Sequence, residues 1–313
     1  HRSHALEALM SIVKRHKQGH DESQGDHKGR PYPVRIRSHI SYRVGATLAV
    51  ALVLAFSLIA CDGPTLNFGA STTPTVTGLP GNAQFNTWYP AARGITVRYE
   101  DWKAVGGNDD DTVTIVRVDP HLVTLSVGYQ PDRPLLMSQW MQQEHAAAII
   151  NGGYFDQNDQ TTALVISNGQ TYGSSYSGFG GMLSMDSNGH IKLRSLRQQP
   201  YGPGESLTQA VQCSPMLVEG GKRTQFNVAP SQSRRSIVAV DKNGNLLFIS
   251  SPDDIFTLDQ LADLLVSSDL SIATALNLDG GASTGLFVNG SAQTHVTIDS
   301  FVLLPLVVMV KEK

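Results

Sequence analysis

Two apolar runs in this chain end the same way. Ile272-Ala273-Thr274-Ala275-Leu276 leads into Asn277-Leu278-Asp279-Gly280-Gly281-Ala282-Ser283-Thr284. Ala147-Ala148-Ile149-Ile150 leads into Asn151-Gly152-Gly153-Tyr154-Phe155-Asp156. A short apolar run closed by turn residues reads as a buried strand. The glycine pair that follows opens backbone angles closed to other residues and lets a ligand or a second backbone come close. Each run therefore presents polar groups at a strand end with little bulk around them. Taken alone, Asp279-Gly280 reads as a tight hairpin turn, since Asp-Gly is a common turn pair. The repetition makes the two stretches a candidate site.

Around them the sequence is rich in strands. Ile95–Tyr99, Val113–Val118 and Leu122–Val127 alternate or run apolar. Asn168-Gly169, Asp186-Ser187-Asn188-Gly189 and Asp241-Lys242-Asn243-Gly244 each separate two apolar runs, which is the signature of a hairpin. Two helices are expected. Leu136–His145 carries Met137, Trp140 and Met141 on one face. Thr257-Leu258-Asp259-Gln260 is a capping box, and Leu258, Leu261, Leu264 and Leu265 form the apolar face behind it. Strands outnumber helices, so the expected fold is α+β: one domain, residues 89–313, with a mixed, hairpin-rich β-sheet core and a few flanking helices.

The first part of the chain reads as an address. Up to Arg43 there are nine Lys and Arg against four Asp and Glu, although the whole chain carries a formal charge of −3. Val44–Ala60 is apolar, follows Arg43, and ends in Leu58-Ile59-Ala60-Cys61. That is the layout of a secretory signal peptide. The last four residues resemble a bacterial lipobox, in which Cys61 becomes the lipidated N-terminus. The alternative is an uncleaved membrane span, for which the run is at the lower limit of length. Either reading places the remaining chain outside the cytoplasmic membrane. Residues 62–88 are rich in Gly, Pro, Ser, Thr and Asn and read as a flexible tether. The acidic body carries no basic patch suited to nucleic acid.

Four stretches occur in order: Asn151-Gly152-Gly153-Tyr154-Phe155, Pro215-Met216-Leu217-Val218 before Gly220, Arg235-Ser236, and Asn277 to Thr284. Together they resemble the motif set of the phosphodiester glycosidase family and span nearly all of the globular part. Ala282 stands where many members have a third glycine, and Ser236 where many have threonine. The resemblance implies hydrolysis between a sugar's anomeric carbon and a phosphate oxygen. Such a site needs an anion holder, a carboxylate near the sugar, and groups that recognise hydroxyls. Arg235 is the expected anion holder, because a guanidinium offers a planar fork of donors that fits phosphate. Asp279 is the expected catalytic carboxylate, as general base or as nucleophile. Glycosidases commonly use two carboxyl groups, and Glu219 or Asp156 would be the second. Asn151, Ser236, Ser283 and Thr284 are expected to contact substrate oxygens. The backbone N–H groups of Gly152, Gly153, Gly280 and Gly281 could form an anion-binding nest.

Two further readings concern metals and thiols. Asp109-Asp110-Asp111 lacks the alternating spacing of a calcium loop and reads as a solvated turn, so no cofactor is required and calcium has no support. Cys213 with His145 or His190 could form a thiol nucleophile, but an inert buried cysteine accounts for it better. The expected activity is thus that of a membrane-anchored hydrolase acting on sugar phosphodiesters, with envelope glycopolymers as candidate substrates. A carbohydrate- or wall-binding lipoprotein on the same fold is the alternative, since fold alone does not carry activity.

Overall fold

The computed structural model describes residues 79–105 and 109–313. Three antiparallel sheets make up the domain. The largest runs, in spatial order, β1 (Tyr89–Ala92), β2 (Ile95–Lys103), β3 (Asp110–Val118), β14 (Leu246–Ser251), β13 (Arg235–Asp241), β15 (Ile272–Asn277), β11 (Met216–Glu219) and β12 (Lys222–Arg223). A second runs β17 (Val296–Ile298), β16 (Leu286–Val288), β5 (Ala148–Asn151), β18 (Leu306–Glu312) and β4 (Val123–Tyr129). The third runs β7 (Gln170–Tyr172), β6 (Val165–Ser167), β10 (Leu207–Cys213), β8 (Gly181–Asp186) and β9 (Ile191–Ser195).

Period-2 alternation decides how these sheets stack. Along β13, Val238 enters a core shared by all three sheets, while Ile237 and Ala239 enter a second cluster on the outer face. Helix α2 (Leu258–Ser267) covers that outer face with Leu258, Leu261 and Leu265. Along β5, Ala148 and Ile150 face the shared core and Ile149 faces outward. There, Met137 and Trp140 of α1 (Met137–Glu144) close over it. Strands buried on both faces need apolar residues at every position, which is why these segments read as continuous apolar runs.

The expected α+β domain is therefore mainly β, with two α-helices among the described residues. Both lie where the sequence placed them, and the Thr257–Gln260 capping box is present in both directions. Two expectations are corrected. Every strand pairing among the described residues is antiparallel, so the sheet is not mixed. The last part of the expected tether belongs to the domain: Leu79 and Ala83 pack on the core, and Asn86 N–H bonds the Tyr99 carbonyl at 2.9 Å. Trp88 packs on the second cluster with the Arg117 guanidinium 4.0 Å from its ring centre. The leader, the signal-like run with Cys61 and residues 62–78 lie outside the described residues. No helix among the described residues is long and apolar enough to cross a membrane.

Candidate active site

Both glycine pairs occur where the chain leaves one sheet for another. Asn151 ends β5 in the second sheet, and the next strand, β6, lies in the third. Asn277 ends β15 in the largest sheet, and β16 lies in the second. The hairpin reading of Asp279-Gly280 therefore fails: the stretch is a crossing with a short 3-10 turn at Gly281–Ser283. The two crossings meet, with Asp279 N–H bonded to the Gly152 carbonyl at 3.1 Å. The other two motifs arrive at the same place. Asn277 N–H bonds the Pro215 carbonyl at 3.0 Å, and Leu278 N–H bonds the Ser236 carbonyl at 2.9 Å.

Asn151 locks this junction. Its side-chain amide donates to the Asp279 carbonyl at 2.7 Å, and its Oδ1 accepts from Ser236 Oγ at 2.6 Å and from Gly285 N–H at 3.1 Å. Asn151 is 1% exposed and Ser236 0%. Both were expected to touch substrate, but here their polar groups are engaged with the protein. The expected anion nest is not formed either. Gly152 N–H bonds the Leu306 carbonyl, Gly280 N–H bonds Asp279 Oδ1, and Gly281 N–H bonds the Arg234 carbonyl. At Gly153 the need is for space: a Cβ there would lie 2.5 Å from the Gln212 carbonyl oxygen. Ser283 and Thr284 are buried, and the Thr284 hydroxyl has no hydrogen-bond partner among the described residues.

Asp279 and Arg235 come together across neighbouring strands. Ile237 pairs with Asn277 on β13 and β15, so continuing the register sets Arg235 opposite Asp279. Residues directly opposite in an antiparallel pair share a face. A Cβ on Gly280 would meet the Arg234 carbonyl oxygen at 2.8 Å and lie 3.8 Å from both Cδ and Nη1 of Arg235. Arg235 donates from Nη2 to the Ser231 carbonyl at 2.5 Å and from Nε to the Phe256 carbonyl at 3.4 Å. Those partners are neutral, and burial pulls its pKa below the usual arginine range. Arg234 is instead bound into the fold, through the Pro252 and Asp299 carbonyls, with Phe301 4.0 Å over its guanidinium.

Groups not assigned from the sequence also stand at the site. Tyr154 donates its hydroxyl to the Ser214 carbonyl at 2.8 Å and accepts from Asn277 Nδ2 at 3.0 Å. Burial first, then the charges of Cys213 and Asp279, hold the Tyr154 hydroxyl far above its ordinary range. Cys213 is free and buried, and burial pushes its thiol up, which removes it as a nucleophile. Tyr176 joins this cluster from the loop between β7 and β8. Two aromatic residues within Gly173-Ser174-Ser175-Tyr176-Ser177-Gly178-Phe179-Gly180 were the available signal.

The remaining candidates lie elsewhere. Glu219 pairs with Thr274, five residues before Asp279, which along a strand is roughly 16 Å at ~3.3 Å per residue. It accepts from Gln198 at 2.5 Å and Arg197 at 3.5 Å, so it serves a different surface. Asp156 caps its own turn, accepting from the N–H groups of Asn158 and Gln160. His190 pairs with Asp186. Asp111 is no solvated turn residue. It is 3% exposed and bonded to Ser251 Oγ, and burial raises its pKa to about 6. No group of three or more His, Cys, Asp or Glu suited to a metal occurs among the described residues. A cavity of about 520 Å³ lined by Thr124, Asn168, Asp186, Thr208 and Lys313 shares no residue with the four motifs. The site is thus located by convergence of polar groups and not by volume.

The four motif stretches, with Asp279 and the buried Arg235 on neighbouring strands, thus meet at the junction of three sheets on a mainly β scaffold. The chain belongs to the phosphodiester glycosidase family, whose model matches residues 144–305. Among solved structures it is similar to the catalytic domain of zebrafish N-acetylglucosamine-1-phosphodiester alpha-N-acetylglucosaminidase, auto-inhibited by its pro-peptide. The identity is 17% and the TM-score 0.54, over 75% of this chain and 87% of that one. A hypothetical protein from Synechocystis is 18% identical with a TM-score of 0.46, over 72% of this chain and 64% of that one. No curated protein sequence matches the chain.

Proposed function

We propose that the chain hydrolyses the bond between a sugar's anomeric carbon and phosphate in a sugar phosphodiester. The observation that carries this reading is the placement of Asp279 opposite Arg235 on neighbouring strands, with Gly280 close to the Arg235 side chain. Arg235 binds the phosphate: a planar donor fork already stripped of water loses little on meeting an anion. Asp279 acts on the anomeric carbon, directly as nucleophile or by drawing a proton from water. Phosphate leaves readily, so the demand for a strong general acid is small, which suits a site whose second carboxylate candidates lie elsewhere. Asn151 and Ser236 act at one remove, by fixing the Asp279 backbone. The reaction calls for no cofactor.

The proposal extends to location. The lipobox-like Leu58–Cys61 would anchor the enzyme through a lipid on Cys61, outside the cytoplasmic membrane, within reach of envelope glycopolymers that carry sugar phosphodiesters. The test incubates the purified chain with UDP-sugars and sugar-1-phosphate methyl diesters, with and without chelator, and follows free sugar. Release that is insensitive to chelator and vanishes in Asp279→Asn supports the reading. A well-folded protein that releases nothing across several sugars would move it to a carbohydrate-binding lipoprotein. Mass spectrometry of the membrane-extracted protein tests the anchor: a diacylated Cys61 is expected, and an intact segment N-terminal to Cys61 would overturn it.

A further inference from the structure

The loop of residues 173–180 borders the site at Ser214, which Gly180 approaches and whose carbonyl accepts from Asn277. It has no regular secondary structure, and Gly173, Gly178 and Gly180 hold φ of 67°, 74° and 73°. One buried side chain fixes it. Gln212, 1% exposed, accepts from Tyr176 N–H at 2.9 Å and donates to Ser175 Oγ at 2.9 Å. Within the loop, Tyr176 and Phe179 stack with ring centres 4.6 Å apart and planes 27° apart, and Phe179 is 36% exposed.

Near the stack, polar atoms are buried. Asn277 Oδ1 has no hydrogen-bond partner among the described residues, and the Tyr176 hydroxyl has the Thr162 side chain beside it. Asn277 has its donor side engaged, since Nδ2 bonds Tyr154 Oη and the Ser214 carbonyl. Both residues border Ser214. A Cβ on Gly180 would lie 2.9 Å from the Tyr176 ring and 3.4 Å from Ser214 Cβ. An unmatched buried polar atom costs about 1–3 kcal/mol, so such atoms are uncommon unless a ligand or water completes them. Here the Tyr176 ring and the Asn277 amide both border Ser214, and Asn277 stands two residues before the carboxylate assigned to the anomeric carbon. Asp279's charge is felt at the Tyr176 hydroxyl, although burial is the larger influence there.

We propose that this loop is the sugar-selecting wall of the site. It opens at its glycines to admit a neutral pyranose. Phe179 and Tyr176 then pack on the C–H face of the ring, and the Tyr176 hydroxyl and Asn277 Oδ1 take one ring hydroxyl between them. The chemistry matches a pyranose in two respects. A sugar ring presents an apolar face and donors at its edge, and the wall offers an aromatic face, a phenol hydroxyl and the unmatched Asn277 Oδ1. Charge selects elsewhere, at Arg235. The inference rests on the proposed hydrolysis only in taking Asp279 as the reacting carboxylate.

The test uses the full chain, Phe179→Ala and Tyr176→Phe, with sugar-1-phosphate methyl diesters and their monodeoxy analogues for kinetics. Free pyranoses, followed by saturation-transfer NMR, report binding alone. Phe179→Ala is expected to raise KM about tenfold with kcat nearly unchanged, the equivalent of one aromatic contact. Wild type is expected to reject one monodeoxy analogue by at least about tenfold, and Tyr176→Phe to lose that discrimination. Turnover by wild type with both variants unchanged in KM and in discrimination overturns the wall and leaves the hydrolysis standing. Pyranose binding that Phe179→Ala weakens about tenfold, in a protein without turnover, sustains the wall and removes the hydrolysis. No pyranose binding and no turnover removes both.

Discussion

Residues 151–153 and 279–281 are both glycine crossings between sheets, and they are bonded to each other, yet they differ in what they leave available. At the first, Asn151 is 1% exposed and its amide is engaged on both sides. Gly153 is pressed against the Gln212 backbone. At the second, Asp279, Gly280 and Gly281 are half-buried and Ala282 is exposed. The same local sequence, a buried strand running into polar residue and glycine pair, thus builds a bracket in one place and a working edge in the other. What separates them is the packing on the far side. Leu306 and Gln212 close over the first, within 2.5 Å of a Cβ placed on Gly152 or Gly153, whereas at the second the Arg234 carbonyl oxygen lies 2.8 Å from a Cβ placed on Gly280 and the Ser233 hydroxyl 3.3 Å from one placed on Gly281.

Mutations can break this contrast. Asp279→Asn, at the working edge, is expected to lower turnover by roughly 10³-fold, the range of a lost general base or nucleophile, with a melting temperature close to wild type. A melting temperature that falls with activity would make Asp279 part of the bracket. Asn151→Ala should show the reverse balance. It orphans the Ser236 hydroxyl and the Gly285 N–H in the core, for a loss of about 3 kcal/mol in denaturant unfolding. Gly153→Ala is expected to cost about 2–3 kcal/mol, because the new methyl group meets backbone that cannot rotate away. Gly281→Ala, at φ 60° with the Ser233 hydroxyl, a side chain that can turn aside, as the near neighbour, should cost only about 1 kcal/mol. Equal losses at the two glycines, measured by chemical denaturation, would erase the distinction drawn here.

Much of this was legible in the sequence, and the misses share a cause. The hairpins at Asn168-Gly169, Asp186–Gly189 and Asp241–Gly244 formed as expected, since turn chemistry is local. The Thr257 cap and both helices are local as well. The four motif stretches do converge, but their partners are set by strand pairings across more than a hundred residues. Periodicity cannot show that β15 hands on to a different sheet, so Asp279-Gly280 looked like a hairpin. Nor could it show that Glu219 sits at the far end of β11, or that Asn151 points its amide inward. Trp88 lies in a turn-rich segment, and only its neighbours Arg98 and Arg117 on β2 and β3 reveal that it is packed.

The buried carboxyl of Asp111 carries a consequence for how the domain answers to acidity. Its pKa rises on folding from an ordinary aspartate value to about 6 because burial disfavours the charge. Folding therefore takes up a proton at this position. The stabilising contribution is fully present below about pH 4 and is lost as pH rises through about 6. Asp111→Asn, which keeps the shape without the titration, should flatten this part of the stability profile between those values, and an unchanged slope would locate the proton elsewhere. At this one position, then, acid works for the fold and not against it.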